Sequence, residues 1–125
     1  MRKESSTNSL NRNALREHCG MVFTLSMIGG RWKPSILCRL VRGKLRYSEL
    51  RKQLPDVSER MLVLQLRELE NDGLVRRLVY AEVPPRVEYE LTEAGISLKP
   101  VLKSMSDWGL GYQKKRGVAK AVVSR

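Results

Sequence analysis

SERMLVLQLRELENDG, residues Ser58 to Gly73, is the stretch on which the fold turns. Ser58 stands directly before a run of strong helix formers and Asp72-Gly73 closes it, so the segment predicts one helix with a serine N-cap and a glycine stop. Leu62, Leu66 and Leu69 are spaced to share one face, which assigns them to a core. Arg60, Val63, Leu64 and Arg67 fall at i, i+3, i+4 and i+7 on the opposite face, which cannot enter the same core.

Working upstream, Pro55-Asp56 forms a tight turn, and before it Ser48 reads as the N-cap of a helix running through Glu49, Leu50 and Leu54. Two helices joined by so short a turn make a helix-turn-helix. Leu45-Arg46-Tyr47 is long enough only for a brief strand. Downstream, Leu74 to Val83 and Arg86 to Leu91 are rich in Val, Leu and Tyr and are separated by Pro84-Pro85, which predicts a β-hairpin, or wing, with proline at its tip.

The flanks supply helices. Cys19 to Ile28 is an apolar helix ended by Gly29-Gly30. Trp32-Lys33-Pro34 opens another, whose Ile36, Leu37, Leu40 and Val41 repeat at helical spacing until Gly43. Thr92 begins a final helix, bent at Pro100, with Leu98, Val101, Leu102 and Met105 at i, i+3, i+4 and i+7 and with Trp108 and Tyr112 beyond. The predicted class is α+β: a flexible segment over 1–17, a winged helix-turn-helix domain over 18–116, and a basic tail over 117–125.

A chain of 125 residues suits one domain that needs no metal or disulfide support. Two cysteines and one histidine do not make a zinc motif, and one histidine without clustered carboxylates or a glycine-rich phosphate loop leaves no catalytic constellation. No cofactor is expected. The longest apolar run, Met21 to Ile28, is far shorter than the ~20 residues of a membrane span, and the polar start lacks a signal-peptide core, so a cytoplasmic protein is expected. The net charge of +11 favours a polyanionic partner, but seven of those excess charges lie in residues 1–18 and 112–125. Residues that could recognise double-stranded DNA must therefore be sought in the middle of the chain.

There, Arg60, Val63, Leu64 and Arg67 would suit a major groove, since arginine reads guanine bidentately and apolar side chains touch thymine methyls. Ser58, at the start of the same helix, joins them as a DNA-binding candidate. The same four residues also read as two solvated arginines flanking an apolar pair packed on a neighbouring element. Arg86 at the hairpin tip, with Lys44 and Arg46 around the short strand, could reach phosphates or a narrow minor groove, or serve solubility alone. A protein-docking module is the rival reading, because Val63-Leu64 would also make an apolar contact patch.

These pieces, in order, resemble the HxlR-type family of bacterial winged-helix regulators, relatives of the MarR group. The resemblance is carried by Cys19-Gly20, Ile28-Gly29-Gly30-Arg31-Trp32-Lys33-Pro34, Arg46-Tyr47-Ser48-Glu49-Leu50, Ser58-Glu59-Arg60-Met61-Leu62, Leu66 to Val75 and Glu82 to Thr92. It implies a homodimer built from the first and last helices, which assigns Val22, Leu25, Leu98, Val101, Leu102, Met105 and Trp108 to the dimer contact. Paired recognition helices and wings would then lie on DNA, as a transcriptional regulator requires. Family members often have Thr and Gln where this chain has Val63 and Leu64, so the resemblance leaves the target sequence open. Several members sense oxidants or electrophiles through a cysteine at the place of Cys19, which makes it the candidate redox sensor for an oxidant or small-molecule effector. Arg16 and His18 near it in sequence would favour the thiolate. Cys38, among Ile36, Leu37 and Leu40, is expected in the core.

Overall fold

The computed structural model describes residues 19–117. In chain order they form α1 (Gly20–Ile28), α2 (Lys33–Leu40), β1 (Leu45–Arg46), α3 (Tyr47–Gln53), α4 (Glu59–Asn71), β2 (Val75–Tyr80), β3 (Arg86–Leu91), α5 (Glu93–Ser97) and α6 (Lys99–Arg116). The strands make one antiparallel sheet in the order β1-β3-β2. This is the α+β winged helix-turn-helix that the sequence predicts.

The core gathers Ile36, Leu37 and Leu40 of α2, Leu50 of α3, and Leu62, Leu66 and Leu69 of α4 over Leu74, Val75, Tyr89 and Leu91 at the sheet. Each such side chain contributes about 1.5–3 kcal/mol through the apolar surface it removes from water. Side chains alternate across a pleated sheet, so one face carries the cross-strand pairs Val75–Leu91, Arg77–Tyr89 and Val79–Val87. The other carries Arg76–Glu90, Leu78–Glu88 and Tyr80–Arg86. The first face begins in the core and leaves it toward the hairpin tip.

Local signals set the helix ends. The Ser58 hydroxyl accepts the Met61 N–H at 3.1 Å, and the Thr92 hydroxyl accepts the Gly95 N–H at 3.1 Å while donating to the Gly73 carbonyl at 2.6 Å. Gly73 takes φ 81°, a left-handed conformation that glycine adopts without a Cβ penalty.

Four expectations need correction. The N-cap of α3 is Arg46, not Ser48: the Glu49 carboxylate accepts the Arg46 backbone N–H at 2.7 Å, which starts the helix two residues early and takes Tyr47 out of the strand. The strand expected to run to Val83 stops at Tyr80, with three residues between it and the proline pair. The last helix is two helices joined at Leu98, and Pro100 sits in the first turn of α6, where its missing N–H has no partner to lose, rather than at a bend. Cys38 is exposed, not core. The buried positions of α2 are Lys33, Ile36, Leu37 and Leu40, a regular helical stripe that leaves Cys38 on the outside.

Candidate nucleic-acid interface

α4 is held from one side by its three leucines and from another by an ion pair, Lys33 Nζ to Glu68 Oε1 at 2.7 Å. Arg60, Leu64 and Arg67 are exposed on the side away from the core, with Ser58 exposed at its start. Val63 departs from them. It is half-buried and lines a groove of about 430 Å³ between α4 and the sheet, together with Tyr47, Glu59, Arg67, Glu70, Arg77, Val87 and Tyr89. The stripe predicted from periodicity is thus split, with Arg60 and Leu64 facing solvent, Val63 facing the groove, and Arg67 at its margin. The Tyr47 hydroxyl is buried here without a hydrogen-bond partner. Burial, and then the nearby Glu59 carboxylate, push its ionisation above the ordinary 10.0.

The hairpin cations are engaged inside the protein. The Arg86 guanidinium lies 4.0 Å over the Tyr80 ring, 3.2 Å from Glu82 Oε2 and 3.8 Å from Glu88 Oε2. Lys44 Nζ is 3.6 Å from Glu88 Oε1, and Tyr80 followed by Glu88 holds its pKa above 10.5. Arg76 pairs with Glu90 on the same face of the sheet. Arg46, by contrast, is exposed, and with Ser48, Glu82, Pro84, Pro85, Arg86 and Val87 it lines a smaller groove of about 210 Å³ between the start of α3 and the hairpin tip. Among the described residues Arg46, Arg60, Arg67 and Arg77 make no ion pair. Arg77 was not singled out from the sequence. Its phase with Val75 and Val79 was the signal that puts it on the α4 side of the sheet.

A helix with an outward cationic face, a turn, a preceding helix and a hairpin wing are the parts of a winged-helix DNA reader. The model of the HxlR-like helix-turn-helix family matches residues 27–116. The chain belongs to that family. Among its relatives, the HTH-type transcriptional regulator YdeP of Bacillus subtilis is 52% identical over 99 residues, spanning 79% of this chain and 77% of that protein. The redox regulator HypR in its reduced form superposes with a TM-score of 0.73 at 46% identity, over 82% of this chain and 98% of that one. The reduced form of the transcriptional regulator YodB from B. subtilis superposes at 0.66 and 37% identity, over 72% and 88%. This HxlR-like chain is accordingly a helix-turn-helix transcriptional regulator and not an enzyme.

The residues expected at a dimer contact of this HxlR-like protein are only partly available for one. Leu25, Val101, Met105 and Trp108 are exposed and Val22 is half-buried, but Leu102 belongs to the chain's own core and Leu98 packs against it. Sequence reasoning missed Met21, Phe23, Leu110 and Tyr112, which are large, apolar and exposed on the same two helices. Trp108 and Tyr112 stack at 5.0 Å between ring centroids, one helical turn apart. Cys19 is half-buried at the N-cap of α1, where its side chain makes no capping hydrogen bond. Arg16, His18, the segment 1–17 and the tail beyond Gly117 lie outside the described residues. No helix among the described residues is long and apolar enough to cross a membrane.

Proposed function

We propose that this regulator binds operator DNA as a cytoplasmic homodimer, reading base edges with Arg60, Leu64 and Arg67 of α4, and that oxidation of Cys19 weakens the complex. The observation that carries the reading is the outward face of α4, whose two arginines have no acidic partner among the described residues and are fixed in direction by the leucines beneath them. A rigid helix can register arginine forks against guanine edges, and Leu64 can touch a thymine methyl. Ser58 is occupied as the cap, so it acts by orienting the helix start. Val63 supports the helix against the sheet and takes a smaller share of base contact than its position on the stripe suggested. The unit that acts is residues 18–116.

The exposed apolar residues of α1 and α6 support self-association, since a monomer would leave Met21, Phe23, Leu25, Met105, Trp108 and Leu110 in water. Twofold pairing would present two α4 helices to one face of the duplex. For Cys19, the similarity to the redox regulator HypR and the place of the thiol, half-buried at the start of α1 without a capping hydrogen bond, support sensing. A peroxide would oxidise that thiol to a sulfenic acid, itself being reduced.

Selection of bound duplexes from a random pool tests the reading. The expected product is a twofold site with half-sites about one helical turn, roughly 34–36 Å, apart. An asymmetric consensus, or binding indifferent to salt, would overturn it. Oxidant should weaken binding of the wild type and leave Cys19→Ser unaffected; equal behaviour of the two would remove the sensing role alone.

A further inference from the structure

We infer that Arg77 of β2 is a DNA-backbone contact, holding a phosphate seated in the groove between α4 and the sheet while Arg67 on the facing wall reads a base edge, and that Arg86 and Lys44 are internal braces of the wing. The inference rests on the DNA-binding reading and assigns the phosphate contacts within it.

The first observation is which cations are free. To reach a phosphate, Arg86 must leave Glu82, Glu88 and the face of Tyr80, and Lys44 must leave Glu88. The four charged groups of that cluster cancel. Arg76 is likewise paired with Glu90. An arginine already flanked by two carboxylates gains little net attraction by exchanging them for one phosphate, even though its buried Nε makes no hydrogen bond.

The second observation is where Arg77 stands. It pairs across the strands with Tyr89 and shares its face of the sheet with Val75, so it emerges beside α4 and not on the charged back of the wing. It is exposed, has no ion pair among the described residues, and lines with Arg67 a groove of about 430 Å³. One wall of that groove belongs to the helix proposed to enter the major groove. A duplex strand bordering that groove would pass between helix and wing, which brings its phosphates to Arg77. The floor of the groove is apolar, formed by Val63, Val87 and Tyr89, so Arg67 and Arg77 are the cations among its lining residues.

Two acids also line the groove. Glu59 and Glu70 lie at opposite ends of α4, about 16 Å apart at 1.5 Å per residue, and neither is within ion-pair distance of Arg67 or Arg77. Glu70 is one turn from Arg67, so its carboxylate opposes the phosphate there. Removing its charge should therefore tighten binding.

The test is titration of full-length wild type, Arg77→Gln, Arg86→Gln and Glu70→Gln on the selected duplex and on a scrambled one, at salt concentrations from 50 to 200 mM. Each phosphate contact contributes about 0.9 to the slope of log affinity against log salt, so losing one spares the variant roughly a 3.5-fold share of the wild-type decline over that range. Arg77→Gln should flatten the slope by about 0.9 and weaken both duplexes by the same factor. Glu70→Gln should bind more tightly than wild type. Arg86→Gln should keep the wild-type slope, and any loss of affinity it shows should accompany a lower thermal midpoint. A wild-type slope in Arg77→Gln with a flattened one in Arg86→Gln would overturn the assignment while leaving DNA binding intact. Absence of salt-sensitive binding by the wild type would instead overturn the DNA reading itself. Circular dichroism of each variant separates misfolding from loss of contact.

Discussion

Glu68→Ala tests how α4 is held. Lys33, the first residue of α2, is the one buried charged side chain among the described residues, and its ammonium lies 2.7 Å from Glu68 Oε1, whose side chain is 46% exposed. Truncating Glu68 leaves that ammonium short of an acceptor in a place water reaches poorly. An exposed ion pair contributes about 0–1 kcal/mol and breaking a buried one costs about 3–5 kcal/mol; with Lys33 buried and Glu68 half exposed, this loss falls between them, about 1.5–2 kcal/mol. For a domain of this size that corresponds to a Tm lower by roughly 6–16 °C. Lys33→Met should behave differently. It keeps the aliphatic stem that packs beside α4 and removes the charge, while Glu68 returns to water, so the expected loss is under about 1 kcal/mol. The double variant should then resemble Lys33→Met alone. Thermal unfolding followed by circular dichroism, at one fixed protein concentration because self-association shifts Tm, measures all three. If Lys33→Met were as damaging as Glu68→Ala, or if the two losses simply added, the bridge would not be what fixes α4 against α2.

Three further outcomes follow from the packing and the charges. A Cβ at Gly95 would be driven into the Leu74 carbonyl oxygen and against Leu91, so Gly95→Ala should cost about 1–3 kcal/mol in denaturant unfolding; an unchanged midpoint would contradict that close approach. Tyr47, Lys44 and Lys103 all have folded pKa values raised above the ordinary 10.0 and 10.5, by burial of Tyr47, by Tyr80 and Glu88 beside Lys44, and by the hydrogen bond from Lys103 to Asp107. Groups raised in this way contribute stability that is complete below the unfolded pKa and is lost as pH rises through the folded one, so unfolding midpoints should fall above about pH 10. Tyr47→Phe should blunt the fall, and a decline beginning at neutral pH would point to other groups. Trp108→Ala, removing the most exposed aromatic of α6, should raise the dissociation constant of the proposed dimer by roughly 30-fold or more, if Trp108 is an aromatic anchor of it; sedimentation equilibrium with an unchanged constant would place any dimer contact elsewhere.

The helix-turn-helix was legible because its signals are local. The leucine spacing of 62, 66 and 69, the Ser58 cap and the Gly73 stop all act within a turn or two of the backbone, and each is where the sequence put it. Errors came where two local signals competed. Ser48 is a good cap residue, but Glu49 three places after Arg46 satisfies an earlier N–H and wins. At Leu98 a proline that would kink a continuous helix instead opens a new one, because Pro100 tolerates a first turn better than an interior. Cys38 was misplaced by its apolar neighbours in sequence, when the phase of Ile36, Leu37 and Leu40 already excluded it from their face.

The charges of the interface were not legible for a different reason. Whether a cation can meet a phosphate depends on what else it meets first, and those partners come from across the sheet. Lys44 finds Glu88 forty-four positions away, and Arg76 finds Glu90. Only the strand register makes these neighbours, and register is settled by which face enters the core. The same register that buries Val75 and Leu91 carries Arg77 out beside Arg67 and turns Arg86 onto Tyr80. Two arginines that count alike in the composition therefore become a free one on one face of the wing and a neutralised one on the other. Pairing across the strands, and not the net charge of +11, determines which side of this small sheet can face a polyanion.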